Sequence, residues 1–231
     1  MSSLDHWIDE AKKENQSRPE VLSFDDYFNL FQKSPHLACR PSYQYLVDMV
    51  DHFGKDAKGR FKLFVLEDPE STPVCGQYKA QEGLYQNLKN FQKEGFNNKF
   101  ILLVGPNGSA KTTLIQKFMK GAEIYSDTKE GALYTFSWIF PIENYVKGVL
   151  GLKSTGGDHN LKSYASLDDK DISAILGSEL KDHPLLLIPL KYRKKVIEES
   201  LAKNTQALEA VQKSYLYTGD LETLKNIYPC T

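Results

Sequence analysis

A loop of small residues that ends in Lys111 and Thr112 has the residue types needed to bind a polyphosphate. Its members are, in order, Gly105, Pro106, Asn107, Gly108, Ser109, Ala110, Lys111, Thr112 and Thr113. Unhindered main-chain N–H groups of residues 107–112 can form a concave anion site, and a helix that follows adds positive potential. Lys111 supplies a mobile charge for the β- and γ-phosphates, and the Thr112 hydroxyl is suited to bind Mg²⁺. The loop therefore predicts a site for ATP and Mg²⁺.

The spacing matches the phosphate-binding (Walker A) template G-x-x-x-x-G-K-[ST] except at its second glycine. Gly105, Lys111 and Thr112 fall on the template, whereas Ala110 occupies the second glycine position. Alanine at positive φ costs about 1–2 kcal/mol, but alanine in right-handed helical space favours a helix start. Because a helix is predicted directly afterwards, we expect Ala110 in right-handed helical space.

Short apolar runs on both sides of the loop predict strands, and helical periodicity predicts helices between them. The predicted strands are residues 60–66, 100–104, 131–140 and 185–188. Helices are predicted from Ser23, from Ser42 to Gly54, after Gln77, from Thr113 to Gly121, and over about residues 191–217. Ser23 is the predicted cap of the first helix, with Asp26 three residues later. This alternation predicts an α/β fold: a P-loop NTPase core with a mainly parallel sheet, preceded by a small helical N-terminal region.

The composition of the chain argues against several classes of function. The chain has 231 residues, 41% of them hydrophobic, with 29 basic and 30 acidic side chains. Because the charges nearly cancel, we expect neither a nucleic-acid partner nor a membrane surface. No apolar run approaches the roughly eighteen residues that span a bilayer, and the first residues do not open a signal peptide, so we expect a cytoplasmic location. The scattered Cys39, Cys75 and Cys230 are predicted to be free thiols.

Hydrolysis of ATP also needs an acidic group that holds Mg²⁺ through water, normally at the end of a second strand. Downstream of Lys111, the apolar run that ends in Pro141 and Ile142 reaches an acid only at Glu143. Either Glu143 serves, or the chain stops before the acidic strand, and we favour truncation. Catalytic residues are therefore not assigned, and hydrolysis by this chain alone stays open.

Two other segments each have two interpretations. Val74 and Gly76 either contact adenine through apolar packing and backbone hydrogen bonds, or form a turn before a helix. Arg193 lies among basic residues with glutamates at helical spacing. That pattern is typical of a solvated helix face with i,i+4 pairs, and the alternative is that Arg193 reaches a phosphate.

Several stretches are together similar to one known family. They are residues 23–27 with 40–46, 75–77, 105–112, 131–141 and 183–189. In these stretches the chain resembles the PrkA-type serine protein kinase family, whose N-terminal part is an AAA+-like P-loop ATPase domain. The most specific of them is residues 131–141.

The resemblance implies an ATP-dependent serine protein kinase or P-loop ATPase, with ATP and Mg²⁺ as cofactors and a protein as substrate. We expect a flexible extension (1–20), an N-terminal helical region (21–73) and a P-loop AAA+-like domain (74–231), and we expect this domain to be incomplete at its C-terminus. Members of the family are longer, so we expect ATP binding here and phosphotransfer in the full-length protein. A non-catalytic, nucleotide-responsive assembly module is the alternative, and a homo-oligomer is compatible with both.

Overall fold

A computed structural model describes residues 21–67, 72–94, 100–142, 165, 167 and 169–219. The helices are α1 (Phe24–Lys33), α2 (Pro35–Ala38), α3 (Ser42–Phe53), α4 (Tyr78–Glu94), α5 (Lys111–Ser126), α6 (Leu190–Leu201), α7 (Thr205–Gln212) and α8 (Tyr215–Thr218). The strands are β1 (Ser137–Pro141) and β2 (Ile172–Gly177), and 3-10 helices cover Lys62–Val65, Asp169–Asp171 and Pro184–Leu187. The chain divides into two compact units, Met1–Leu30 with Phe136–Lys181 and Phe31–Thr135 with Asp182–Thr231.

The first unit contains the start of α1 and an antiparallel pair of strands. Ser23 caps α1 as predicted: its hydroxyl accepts from the Asp26 N–H at 3.1 Å and donates to the Asp26 carboxylate at 2.5 Å. Such a reciprocal pair satisfies a helix N–H group that has no partner within the helix. β1 pairs with β2 so that Trp138 lies opposite Leu176, and both side chains are more than half exposed.

The predicted P-loop NTPase core with a mainly parallel sheet is wrong. Within the described residues, the one sheet has two antiparallel strands and the other elements are helical. The predicted strand 131–140 is confined to β1, residues 100–104 pair with no strand, and the runs 60–66 and 185–188 contain 3-10 helices. Short apolar runs indicate burial rather than backbone type, and a 3-10 turn buries two or three apolar side chains as well as a strand does.

The second unit has its core between α3, α4, α5 and the 3-10 helix Lys62–Val65. The buried apolar side chains of this cluster are Tyr45, Val47, Met49, Val50, Phe61, Leu63, Phe64, Val74, Tyr85, Leu88, Leu114 and Tyr125. The predicted helix 42–54 is confirmed, and Gly54 ends it with φ +66°. The helix predicted to stop at Gly121 instead continues to Ser126. A Cβ on Gly121 would lie 2.1 Å from Leu63 Cδ1, so glycine is required there for packing, not to end the helix.

Arg40 connects three parts of the second unit. Its Nη1 donates to the Asp48 carboxylate of α3 at 2.9 Å and to the Tyr125 hydroxyl of α5 at 3.1 Å. Its Nη2 donates to the Glu130 carbonyl at 2.5 Å, and the guanidinium lies 4.6 Å from the centre of the Tyr45 ring. A planar guanidinium with five donors can make all these contacts together, which lysine cannot.

His183 joins α2 to the 3-10 helix Pro184–Leu187. Its Nε2 lies 2.9 Å from the Ala38 carbonyl, and its Nδ1 accepts from the Leu185 N–H at 3.2 Å. The neutral tautomer with its proton on Nε2 satisfies both contacts. Burial lowers the pKa of His183 from 6.5 to about 4, against the opposing effect of the bond to Ala38.

No helix in the described ranges combines the length and apolar character that crossing a membrane requires. The predicted domain boundaries remain predictions. The one at 73/74 lies inside the second compact unit.

The folded protein should lose stability as the pH falls from 6.5 towards 4, because the unfolded chain binds a proton at His183 that the folded chain excludes. A shift of this size corresponds to a loss of at most about 3 kcal/mol. Urea unfolding of the wild type and His183→Asn at pH 7, 6 and 5 measures this effect. The variant should be less stable at pH 7 and show a shallower decrease. His36→Asn, which changes an exposed histidine, is the control and should lose stability with pH as the wild type does. If the free energy of unfolding of His183→Asn falls as steeply with pH as that of the wild type, the role of His183 is contradicted.

Candidate nucleotide-binding site

The candidate loop leads directly into the first turn of α5. Ala110 is the N-cap residue and makes no side-chain capping bond, while its carbonyl accepts from the Leu114 N–H at 2.9 Å. The first N–H groups of a helix have no acceptor within the helix. They therefore offer donors and positive potential to an anion at this end of α5.

The backbone of the loop has positive φ at two positions that are separated by one residue. Gly108 has φ +79° and Ala110 has φ +59°, whereas Ser109 between them does not have a positive φ. Alternating signs of φ are typical of anion nests, in which successive N–H groups turn toward one side. One of these groups, the Ser109 N–H, donates to the Pro106 carbonyl at 3.3 Å. The expectation of right-handed space for Ala110 is therefore wrong: the residue closes the nest one position before the helix starts.

The Lys111 ammonium group is held across the loop by main-chain carbonyls. Its Nζ donates to the Gly105 and Pro106 carbonyls at 2.7 Å each, and to the Ser109 hydroxyl at 3.2 Å. An ammonium group has three donors. Two make short bonds to the backbone, and the third makes the longest bond, which a phosphate oxygen can replace.

Ser109, a member of the predicted loop, also closes the loop through its side chain. Its hydroxyl donates to the Pro106 carbonyl at 2.8 Å and closes the loop. A Cβ on Gly105 would lie 2.8 Å from that hydroxyl oxygen, so a larger residue at 105 would displace the Ser109 hydroxyl. Serine is common in turns because its hydroxyl bonds nearby main-chain groups, so this contact could have been predicted from the sequence.

The loop is accessible from solvent. The residues from Gly105 to Gly108 and Thr112 are exposed, and Ser109 to Lys111 and Thr113 are partly buried. The exposed Thr112 hydroxyl, in the first helical turn beside Lys111, provides one oxygen ligand for a Mg²⁺ that takes its others from phosphates and water. Among the described residues, no three His, Cys, Asp or Glu side chains are grouped so that they could hold a metal ion. Glu143, the candidate acid, lies outside the described residues.

The second candidate segment, Val74 to Gln77, also has an unusual backbone. Gly76 has φ +122° and Gln77 has φ +56°. The Val74 N–H donates to the Phe64 carbonyl at 2.9 Å, and the buried Gln81 amide donates to the Gly76 carbonyl at 2.7 Å. The Val74 N–H is thus already paired, whereas the Gly76 carbonyl retains a second lone pair.

The two candidate segments belong to one apolar cluster in the second unit. Val74, 5% exposed, and Leu114, 3% exposed, are both core residues, and Ala110 packs against the same cluster. The buried stripe of α5 includes Lys117, which is 0% exposed and donates to the Leu66 carbonyl at 2.7 Å. Lys117 follows Leu114 by three residues, a spacing that puts both on the same face of a helix, so its burial could have been predicted from helical periodicity.

Arg193 does not belong to a solvated helix face, and that interpretation is wrong for this residue. It is 5% exposed in α6, and a Cβ on Gly219 would lie 3.0 Å from its Nη2. Lys195 and Glu199 do form the expected exposed i,i+4 pair, at 3.8 Å. Contact between Arg193 and a phosphate remains a prediction.

A cavity of about 970 Å³ lies away from the loop, between α3 and α7. Its volume suits a small ligand. However, both aspartates in its wall are already paired: Asp48 accepts from Gln44 at 2.5 Å as well as from Arg40, and Asp51 accepts from the Tyr85 hydroxyl at 2.5 Å. Paired groups that join helices do not form the convergent donor set that a triphosphate needs, so we assign the candidate site to the loop.

Comparison of the chain with family models, curated proteins and solved structures finds no match in any of the three. The functional assignment therefore rests on the residues and geometry of the loop.

Replacing Ala110 with glycine should stabilise the protein. The positive φ costs alanine about 1–2 kcal/mol, and the lost methyl packing offsets part of the gain, so we expect a net increase of about 0.5–1 kcal/mol. Ala122→Gly, in the right-handed interior of α5, is the matched control and should destabilise by about 1 kcal/mol. Urea unfolding measures both. A loss of stability in both variants would show that Ala110 is not strained.

Proposed function

We propose that this chain binds ATP with Mg²⁺ through the loop of residues 105–113. One observation carries the proposal: the Lys111 ammonium group is held by the Gly105 and Pro106 carbonyls beside an uncapped helix start. This arrangement brings the ammonium donors and the main-chain N–H donors to one loop, as a polyphosphate requires.

Each residue has a definite task in this proposal. A phosphate oxygen replaces Ser109 as the third acceptor of the Lys111 ammonium group. Main-chain N–H groups of residues 107–110 and of the first turn of α5 bind the remaining oxygens, the Ser109 N–H in exchange for its 3.3 Å bond to the Pro106 carbonyl. The Thr112 hydroxyl binds Mg²⁺, which when present neutralises charge on the β- and γ-phosphates. The Gly76 carbonyl accepts from the adenine amino group, and Val74, which is 5% exposed, holds this segment to the core.

We extend the proposal to membership of the PrkA-type serine protein kinase family, with phosphotransfer to a protein substrate by a longer chain. The resemblance over residues 23–27, 40–46, 105–112 and 131–141 supports this. We also propose a cytoplasmic location. The thiols Cys39 and Cys75 are both free, as is usual in a reducing compartment.

Lys111→Ala should abolish measurable ATP binding without unfolding the protein. Loss of charge-assisted hydrogen bonds worth about 1.5–3 kcal/mol each predicts at least a hundredfold weaker affinity. Titration with a fluorescent ATP analogue in Mg²⁺ measures affinity, and circular dichroism measures folding. Lys120→Ala is the control, because Lys120 lies on the same helix and pairs with Glu123 at the surface. Unchanged binding by Lys111→Ala would overturn the proposal.

A second candidate function, a nucleotide-responsive assembly module without catalysis, is favoured by the segment that enters the loop. Phe100, Leu102 and Val104 are 83%, 70% and 84% exposed and lie immediately before Gly105. Neighbouring apolar side chains at this exposure are typical of interaction surfaces. A partner that covers them would contact the chain directly beside the phosphate loop.

The two functions differ in solution behaviour. Light scattering after size-exclusion chromatography measures the molecular mass of the protein with and without ATP and Mg²⁺. A parallel assay measures phosphate release. A nucleotide-dependent increase in mass without release supports the module, and release above background supports an enzyme. Leu102→Glu should prevent the increase in mass, whereas Leu133→Glu, which alters an equally exposed leucine of the same unit, should not. Equal masses under all conditions would reject the module.

A further inference from the structure

We propose that a cavity at the start of α4 binds a small phosphate monoester that carries hydroxyl groups, such as a sugar phosphate. The cavity has a volume of about 400 Å³, near the lower end of the range for ligand pockets. Its walls are residues 58–61 and side chains from residues 78–82, all of them in the second unit. None of these residues belongs to the loop of residues 105–113, so this inference does not rest on ATP binding.

The two walls of the cavity are held in place by side-chain bonds. The Asp56 carboxylate closes the turn that forms one wall: it accepts from the Lys58 and Arg60 N–H groups at 2.9 Å each. Its other oxygen accepts from the Arg60 Nε at 2.7 Å, and the hydrogen bonds from Arg60 are the main reason why the pKa of Asp56 falls to about 2. The Lys55 ammonium group then connects this turn to α4 by donating to the Glu82 carboxylate at 2.9 Å. The cavity is therefore shaped by two connected walls.

The charges on these walls leave a positive excess. The arginine and the glutamate of the lining are paired, with Asp56 at 2.7 Å and with Lys55 at 2.9 Å. In the part of the chain that the structure describes, the ammonium groups of Lys58 and Lys79, which also line the cavity, have no acidic partner. Two unpaired positive charges suit a dianion, and a phosphate monoester carries a charge of about −1.5 to −2 at pH 7, whereas a carboxylate carries a single charge.

The beginning of α4 lies on the same cavity. This helix has 17 residues, and the N–H groups of its first turn have no acceptor within the helix. Such groups and the positive end of the helix dipole favour a phosphate. The main chain and the two lysines therefore select the same chemical group.

Gln81 indicates what else the ligand must offer. This residue lines the cavity and is 2% exposed. Its Nε2 donates to the Gly76 carbonyl at 2.7 Å, whereas its Oε1 accepts no hydrogen bond from any residue that the structure describes. A polar atom of an almost fully buried side chain needs a partner. A ligand hydroxyl group supplies the missing donor, which is why we assign the cavity to a hydroxylated phosphate rather than to phosphate alone.

The test measures the binding of ribose 5-phosphate, inorganic phosphate and ribose to the full chain by isothermal titration calorimetry. Ribose 5-phosphate should bind more tightly than inorganic phosphate, and ribose should not bind measurably. The double variant Lys58→Ala, Lys79→Ala loses two charge-assisted contacts and should bind ribose 5-phosphate at least tenfold more weakly. Lys129→Ala, which removes an exposed lysine elsewhere in the same unit, is the control and should bind as the wild type does.

Two further variants separate the parts of the inference. Gln81→Met should weaken ribose 5-phosphate and leave the affinity for inorganic phosphate within twofold of the wild type; equal loss for both ligands would reject the hydroxyl contact. Lys111→Ala should bind ribose 5-phosphate as the wild type does, because that lysine belongs to the other site.

Three results would overturn the inference. They are no binding of either phosphate ligand by the wild type, equal affinities of the wild type and the double lysine variant, and loss of binding in Lys111→Ala with binding kept in the double variant. The last result would assign the phosphate to the loop of residues 105–113. None of the three rejects ATP binding, which is measured separately with the ATP analogue.

Discussion

The close approach of α5 to the 3-10 helix Lys62–Val65 is the contact on which the second unit depends. It exists because residue 121 has no side chain, so Leu63 occupies the space that a Cβ would need. Leu63 and Leu114 then join one buried cluster, whose burial contributes about 1.5–3 kcal/mol for each such side chain. This contact decides where α5 lies, and the start of α5 determines where the phosphate loop closes.

The loop itself is held by local interactions. The Lys111 and Ser109 bonds all end on groups between residues 105 and 109. A closed loop of this kind needs a helix start and two residues with positive φ, and it does not need a ladder of strands before it. This explains how residues 105–113 form a closed loop although residues 100–104 pair with no strand.

The sequence predicted local signals well and long-range pairing poorly. The cap at Ser23 and the stop at Gly54 depend on neighbours within four residues, and both predictions are confirmed. Whether residues 60–66 or 185–188 form strands depends on partners elsewhere in the chain, which composition does not reveal, and both predictions are wrong. Gly121 was misread because a glycine that permits packing and one that ends a helix have the same sequence signal.

The left-handed backbone conformation of Ala110 was not predicted, for a related reason. We assigned the conformation of Ala110 from the helix that follows it, but the loop that precedes it determines that conformation.

Lys111 and Lys117 show how α5 separates two lysine side chains. Six residues of α-helix rise about 9 Å and turn the side chain by about 240°. The same rigid helix thus presents one lysine to the loop and buries the other against the Leu66 carbonyl. The spacing between the loop and the Leu66 carbonyl is therefore a property of α5 and not of flexible side chains.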